Sequence, residues 1–214
     1  MSWGTSAILK KWKPWNDLCF MRLIVFDTEA TDLVPGQLCQ LAYLKEQDRH
    51  VSGRNFFFSV DDMSPGAQDI HGFSKEMLSE LSGGLYFEDT ALEILSDFNA
   101  CDLAVGHNVA ADERYLRVEM DRAGLKLKKL NTFCTMNYAS GIMNMQRKVT
   151  TGRPKPPKLS ELAAYYCVGE EEILIKTKEW FGVTGALHDA RFDTVMTYLS
   201  LLSAIKRGDL RGLL

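Results

Sequence analysis

The sequence predicts one α/β domain built on a mixed sheet, and three observations carry that reading. Leu23-Ile24-Val25-Phe26 is an unbroken apolar run of strand length, the pattern of a strand covered on both faces. Two more strand-like segments, 38–43 and 55–60, follow across a polar stretch suited to a hairpin turn. Beyond them the pattern changes to strand–helix units, and an amphipathic helix is expected from about 189 to 206.

The bulk properties fit that class. A chain of 214 residues, 46% apolar and 25% charged, is long enough for one substantial core and too apolar to stay disordered. A net charge of −3 excludes a wholesale basic coat. The five cysteines at 19, 39, 101, 134 and 167 are odd in number and show no Cys-x-x-Cys spacing. That pattern points to buried free thiols in a reducing compartment, against a disulfide framework or a zinc site. No 18-residue apolar run and no secretion signal stands in the sequence, so no membrane span and a cytoplasmic location are expected.

Taken in order, residues 1–20 read as an N-terminal extension and 21–214 as the domain. Trp3, Trp12 and Trp15 are interleaved there with Lys10, Lys11 and Lys13. The segment is either an amphipathic docking element or an extension folded over the domain. The second is preferred, because Met21 sits directly before the first strand and could itself be a start. The first three strands should form an antiparallel meander with the first one central. Pro65-Gly66 is expected to break the chain, and Ser74 to cap a short helix. Leu92, Leu95 and Phe98 give 87–98 helical periodicity. Leu103-Ala104-Val105-Gly106 is a short buried strand running into Asn108, a helix cap, and a helix through Tyr115, Leu116 and Met120 that ends at Gly124. Residues 132–134 supply a fifth strand, and 144–158, polar and Gly/Pro-containing, read as a loop. A helix spans 159–167, and Phe192, Val195, Met196, Leu199 and Leu202 make the stripe of the last one. No internal repeat or linker is visible.

Chemistry gathers at three places. Asp27 and Glu29 are two apart at the end of the first strand, so both leave one face while Thr28 points away. Two adjacent anions at the edge of a buried sheet repel each other and lose solvation. No Lys or Arg lies between Arg22 and Lys45 to offset them; a divalent cation with a taste for hard oxygen, Mg²⁺ or Mn²⁺, would. The alternative is a turn that merely carries acids. Asp112 lies one turn into the helix after the fourth strand, behind the small Ala110 and Ala111, where complementing the helix dipole is an equal explanation. His188 precedes Asp189, a plausible cap, and Asp193 falls between Phe192 and Val195, so it should point partly inward and want a partner.

Asp27-Thr28-Glu29, Gly106-His107-Asn108-x-x-x-Asp112 and His188-x-Ala190-x-x-Asp193 resemble, in order, the three motifs of the DEDDh group. These are the DnaQ-like 3′→5′ exonucleases, which include polymerase proofreading subunits. The resemblance covers residues 21–205 and implies an RNase H-like fold: a mixed five-stranded sheet flanked by helices. Many members carry Thr-Thr-Gly where this chain has Ala30-Thr31-Asp32, and Phe where it has Ala111; neither change removes a ligand. The resemblance assigns Asp27, Glu29, Asp112 and Asp193 to two metal ions, with Asp27 bridging, and His188 to the general base. His107 is the rival base, more readily given a structural hydrogen bond. Leu33 would wedge against the terminal bases and the Ala30 backbone contact the 3′ hydroxyl. Ile70-His71-Gly72-Phe73 would pack on the terminal nucleotide, with plain core packing the alternative for Ile70 and Phe73.

Charge adds a separate signal. No acidic residue stands between Asp121 and Glu161, whereas Arg122, Lys126, Lys128, Lys129, Arg147, Lys148, Arg153, Lys155 and Lys158 give +9. Such a stretch suits the phosphates of a single strand. The expectation is a metal-dependent 3′→5′ exonuclease on single-stranded DNA ends. The alternatives are an exoribonuclease or oligoribonuclease of the same chemistry, and a non-catalytic nucleic-acid-binding module. No polymerase domain is visible, so the chain is expected to act alone or with a polymerase or repair partner.

Overall fold

The computed structural model describes residues 21–34, 36–143 and 155–210, which leaves the 1–20 extension and most of the 144–158 loop outside the described residues. The apolar run becomes β1 (Leu23–Ala30), which continues past Phe26 through both carboxylates. Antiparallel to it runs β2 (Leu38–Gln47), and β3 (His50–Phe57) completes the meander. The hairpin is tighter than expected. Asp48 and Arg49, at φ +52° and +66°, form a two-residue turn whose twist matches the strands, so β3 starts at His50 and not near residue 55. The short β4 (Leu103–Gly106) and β5 (Thr132–Cys134) add in parallel on the other side of β1, giving the order β3-β2-β1-β4-β5. The predicted mixed sheet with β1 at its centre is therefore the one observed.

Helices cover both faces. One layer holds α3 (Phe87–Ala100) and α4 (Val109–Arg122), which bury Ile94, Phe98, Leu116 and Met120 against Ile24 and Phe26. The other holds α5 (Thr135–Met143), α6 (Leu159–Tyr165), α7 (Glu170–Phe181) and α8 (Ala190–Arg207), packed on Leu23, Val25, Leu44, Leu103 and Val105. Alternate β1 residues feed the two cores, so one strand of apolar sequence holds both layers together. Two small helices, α1 (Pro65–His71) and α2 (Lys75–Ser82), lie beyond β3.

Pro65 starts a helix where a break was expected. It sits in the first turn, where its missing N–H costs nothing, and the Ser64 hydroxyl accepts from Ala67 N at 3.2 Å. Gly72, at φ +80°, ends the helix one residue after His71. Asn108 stands at the expected cap position of α4 but in the left-handed region (φ +79°), with no side-chain cap bond. The strand-to-helix connection turns too sharply there for an extended cap.

Candidate active site

The sheet leaves a crevice at the carboxyl ends of its parallel strands. Pairing of β1 with β4 stops at Val25–Val105, so Asp27 to Ala30 run on past their neighbour on that side. On the other side β1 stays paired with β2, with a bulge between Glu29 and Ala30 that leaves Cys39 unmatched. Open α/β sheets take ligands at this end, where consecutive connections leave in opposite directions.

Alternation puts Asp27 and Glu29 on the Leu23–Val25 face, toward α8, and Thr28 on the Ile24–Phe26 face, toward α4. Thr28 is therefore not a bystander: its hydroxyl donates to Asp112 Oδ1 at 2.7 Å and holds the first turn of α4 at the strand. Asp193 arrives from the opposite layer in the first turn of α8, buried at 8% exposure. Its Oδ2 accepts from the His188 peptide N at 3.2 Å, while its Oδ1 is buried with no partner. Glu29, His188 and Asp193 each offer a ligand atom, and these atoms lie within 4.8 Å of one another. His188 is exposed and adopts φ +65°, the left-handed region a non-glycine residue rarely takes.

Electrostatically this is an unbalanced cluster. Burial, and then the charges of Asp112, Asp193, Glu29 and Asp189, hold the Asp27 carboxyl well above the usual range. Burial, and then the charges of Asp193, Asp112 and Asp189, push Glu29 up to about 9. Burial pushes Asp112 to about 7 against the opposing Thr28 hydrogen bond, and Asp193 to about 7 against its bond from His188 N. The Arg191 guanidinium, two residues from Asp193, is taken by Asp189 at 2.5 Å, and that of Arg114, two residues from Asp112, reaches the Leu33 carbonyl at 3.2 Å. Four mutually repelling carboxylates and an orphaned buried oxygen fit a divalent cation with hard ligands.

Beside the cluster lies a cavity of about 310 Å³ that brings together Glu29, Ala30, Leu33, Ile70, His71 and Tyr115. Leu33 is 84% exposed and Ile70 55%, so Ile70 is no core residue, whereas Phe73 is buried on Phe57 at 5.4 Å. His71 Nδ1 accepts from Phe73 N at 3.1 Å, which leaves the proton on Nε2, facing Cys39 Sγ (3.8 Å) and the Ala30 carbonyl. His107 lies apart from the acids. Its Nε2 faces the Pro157 carbonyl and its Nδ1 the Thr135 hydroxyl, both at 3.0 Å, so the ring ties β4 to α5 and the segment before α6.

Two features of the site carry little signal in the sequence. Tyr115 looked like an ordinary apolar helix residue, yet its hydroxyl donates to the Asp32 carbonyl (2.6 Å) and lies 3.1 Å from that of Leu33, which Arg114 also reaches at 3.2 Å. A tyrosine three residues after Asp112, on the same helix face, was the available sign. The basic stretch, in turn, is not one surface. Lys126, Lys128 and Lys129 precede β5, at the amino ends of the parallel strands and so opposite the crevice, where Lys128 holds the Cys101 carbonyl. Lys155 pairs with Glu161 and Arg122 with Glu119, while Arg147, Lys148 and Arg153 lie outside the described residues. Proximity in sequence had hidden that the chain crosses the sheet between these groups.

No family model matches the chain, and no curated protein does. Solved structures do resemble it. Exonuclease I of E. coli in complex with a dA16 oligonucleotide superposes with a TM-score of 0.62 at 17% identity, over 87% of this chain and 41% of that one. Exonuclease I from Methylocaldum szegediense gives 0.65 at 17%, over 90% and 42%. A zinc-ion-bound E. coli exonuclease I–ssDNA complex gives 0.66 at 16%, over 90% and 42%. At that identity the shared property is the fold, and this chain spans about two fifths of the length of those proteins. Among the described residues no helix is long and apolar enough to cross a membrane.

Proposed function

We propose that this chain is a metal-dependent 3′→5′ exonuclease of the DEDDh type, hydrolysing phosphodiester bonds at the 3′ end of single-stranded DNA. One observation carries the reading: acids from β1, α4 and α8 converge on one crevice, with an unpartnered Asp193 oxygen beside Glu29 and His188. In this reading Asp27, Glu29, Asp112 and Asp193 hold two Mg²⁺ or Mn²⁺ ions. Bound there, the ions would neutralise charge on the attacking and leaving oxygens and lower the pKa of a bound water.

The protein's own groups do the remainder. His188, exposed on its turn, takes the proton of the attacking water and must be neutral to do so. Leu33 and Ile70 cover the apolar faces of the terminal nucleotide in the cavity that Ala30 and His71 line, with the Ala30 backbone against the 3′ hydroxyl. DNA is preferred over RNA as substrate because the resembling exonuclease I structures are complexes with a deoxyoligonucleotide and with ssDNA. The free thiols of Cys39, Cys101, Cys134 and Cys167 agree with a cytoplasmic setting, and a polymerase or repair partner stays part of the proposal.

Matched 5′-labelled DNA and RNA oligomers test it. Mg²⁺ should give a ladder shortening from the 3′ end of DNA, abolished by EDTA and by Asp27→Asn. Faster loss of RNA would move the substrate class to RNA. Strand binding with no metal-dependent cleavage would leave a binding module.

A further inference from the structure

A buried carboxamide stands next to the site with no part in the chemistry so far. Gln40 on β2 is the register partner of Glu29 and is 0% exposed. Its Nε2 donates to Asp189 Oδ1 at 3.0 Å and to Asn55 Oδ1 at 2.9 Å, and its Oε1 accepts from the Ala190 peptide N at 3.0 Å. Both amide protons are thus used. Asp189 also caps α8, accepting from Arg191 N at 3.0 Å, and binds the Arg191 guanidinium, which lies over the Phe57 ring at 5.3 Å. Gln40 therefore grips residues 189 and 190, which stand between His188 and Asp193 in the chain. The same turn is fastened from its other end by the His188 N–Asp193 bond.

We infer that Gln40 is a positioning residue: it fixes the turn carrying His188 and the first turn of α8 carrying Asp193 against Glu29 on the neighbouring strand. The inference deepens the exonuclease reading and rests on it. The chemistry explains the residue type. The position must donate to a carboxylate and accept from a peptide N–H without adding charge beside four acids. A carboxamide of this length does all three. Glutamate would set an anion against Asp189, and an apolar side chain would leave the Ala190 N–H buried and unpaired.

The test removes the carboxamide in two ways. Gln40→Met, neutral and of similar shape, deletes every hydrogen bond the side chain makes, and Gln40→Glu sets a carboxylate against Asp189, whose Oδ1 already accepts from Arg191 N and Nε and cannot donate back. Kinetics on a 5′-labelled single strand at saturating Mg²⁺ should show kcat reduced roughly 10–100-fold in Gln40→Glu and Gln40→Met, the scale of misplacing a catalytic group. KM should stay within about twofold, because Leu33 and Ile70, the apolar walls of the terminal-nucleotide cavity, are not touched by this change. In the metal-free protein the ¹⁵N-imidazole signals of His188 should shift in both variants. Unchanged kcat, unshifted His188 signals in the folded variants, or a loss explained by the unfolded fraction alone would overturn the inference. A wild-type protein that cleaves no nucleic acid would instead defeat the exonuclease reading, and the His188 signals would still report on Gln40.

Discussion

Asp27 is held in a state the fold alone disfavours. Its burial and its four acidic neighbours penalise the charged form, so Asp27→Asn should raise the melting temperature of the metal-free protein while abolishing cleavage. A calorimetric scan in EDTA beside the ladder assay reads both. The pH dependence follows in sign. Each acid whose folded pKa is raised binds its proton more tightly folded than unfolded, so its contribution is complete below the ordinary carboxylate range and is lost as pH rises. The loss runs through about 7 for Asp112 and Asp193 and on to about 9 for Glu29. The metal-free protein should therefore melt lower at pH 8 than at pH 5, and Mn²⁺ should raise the melting temperature more at pH 8, where it displaces fewer protons. Equal melting temperatures at the two pH values would contradict the burial of the cluster. His188→Ala should lower kcat about 10²–10⁴-fold with little change in KM, as removal of a general base does. Asp27 and Glu29 were visible in the sequence because a strand's period of two fixes which face each takes. Gln40 was not: it sat inside Leu38-Cys39-Gln40-Leu41, an apolar run whose single polar residue was the sign of a buried partner.

Among the elements, α7 shows what local pattern conceals. Three glutamates open it, only Ile173 and Thr177 are fully buried, and the apolar residues that pack beside them, Leu174, Trp180 and Phe181, are split between its two ends. It is fixed from outside, where β3 comes close enough that a Cβ on Gly53 would meet the Trp180 carbonyl and lie 2.9 Å from Phe181 Cδ1. Gly53→Ala should push α7 off the sheet and cost about 1–3 kcal/mol in urea unfolding, the range for overpacking a tight contact. A change below half of that would mean the helix can give way freely. The unforeseen α1 and α5 have the same lesson in another form. Pro65 reads as a breaker in sequence, yet a proline's meaning depends on whether a helix starts at it or contains it. The meander, β4 with α4, and α8 were legible because each combines a length, a period and a terminating residue that agree.

At the scale of the whole molecule, the crevice exists because β1 outruns β4 and the connections on its two sides depart in opposite directions. Three separated motifs could be placed on their elements from the sequence, since each element shows its own periodicity. How the elements face one another could not, which is why the basic stretch reads in sequence as one run suited to a single strand's phosphates while the lysines before β5 lie at the far end of the sheet. The proposed activity depends on the acids of β1, α4 and α8 acting together as a cation site. The most direct measurement is a Mn²⁺ titration of the metal-free protein at pH 8, with a deoxynucleoside 5′-monophosphate present, followed by electron paramagnetic resonance. Binding should saturate at two ions per chain and be lost in Asp27→Asn and Asp193→Asn; no saturable binding, or binding indifferent to both substitutions, would show that these acids do not form a cation site.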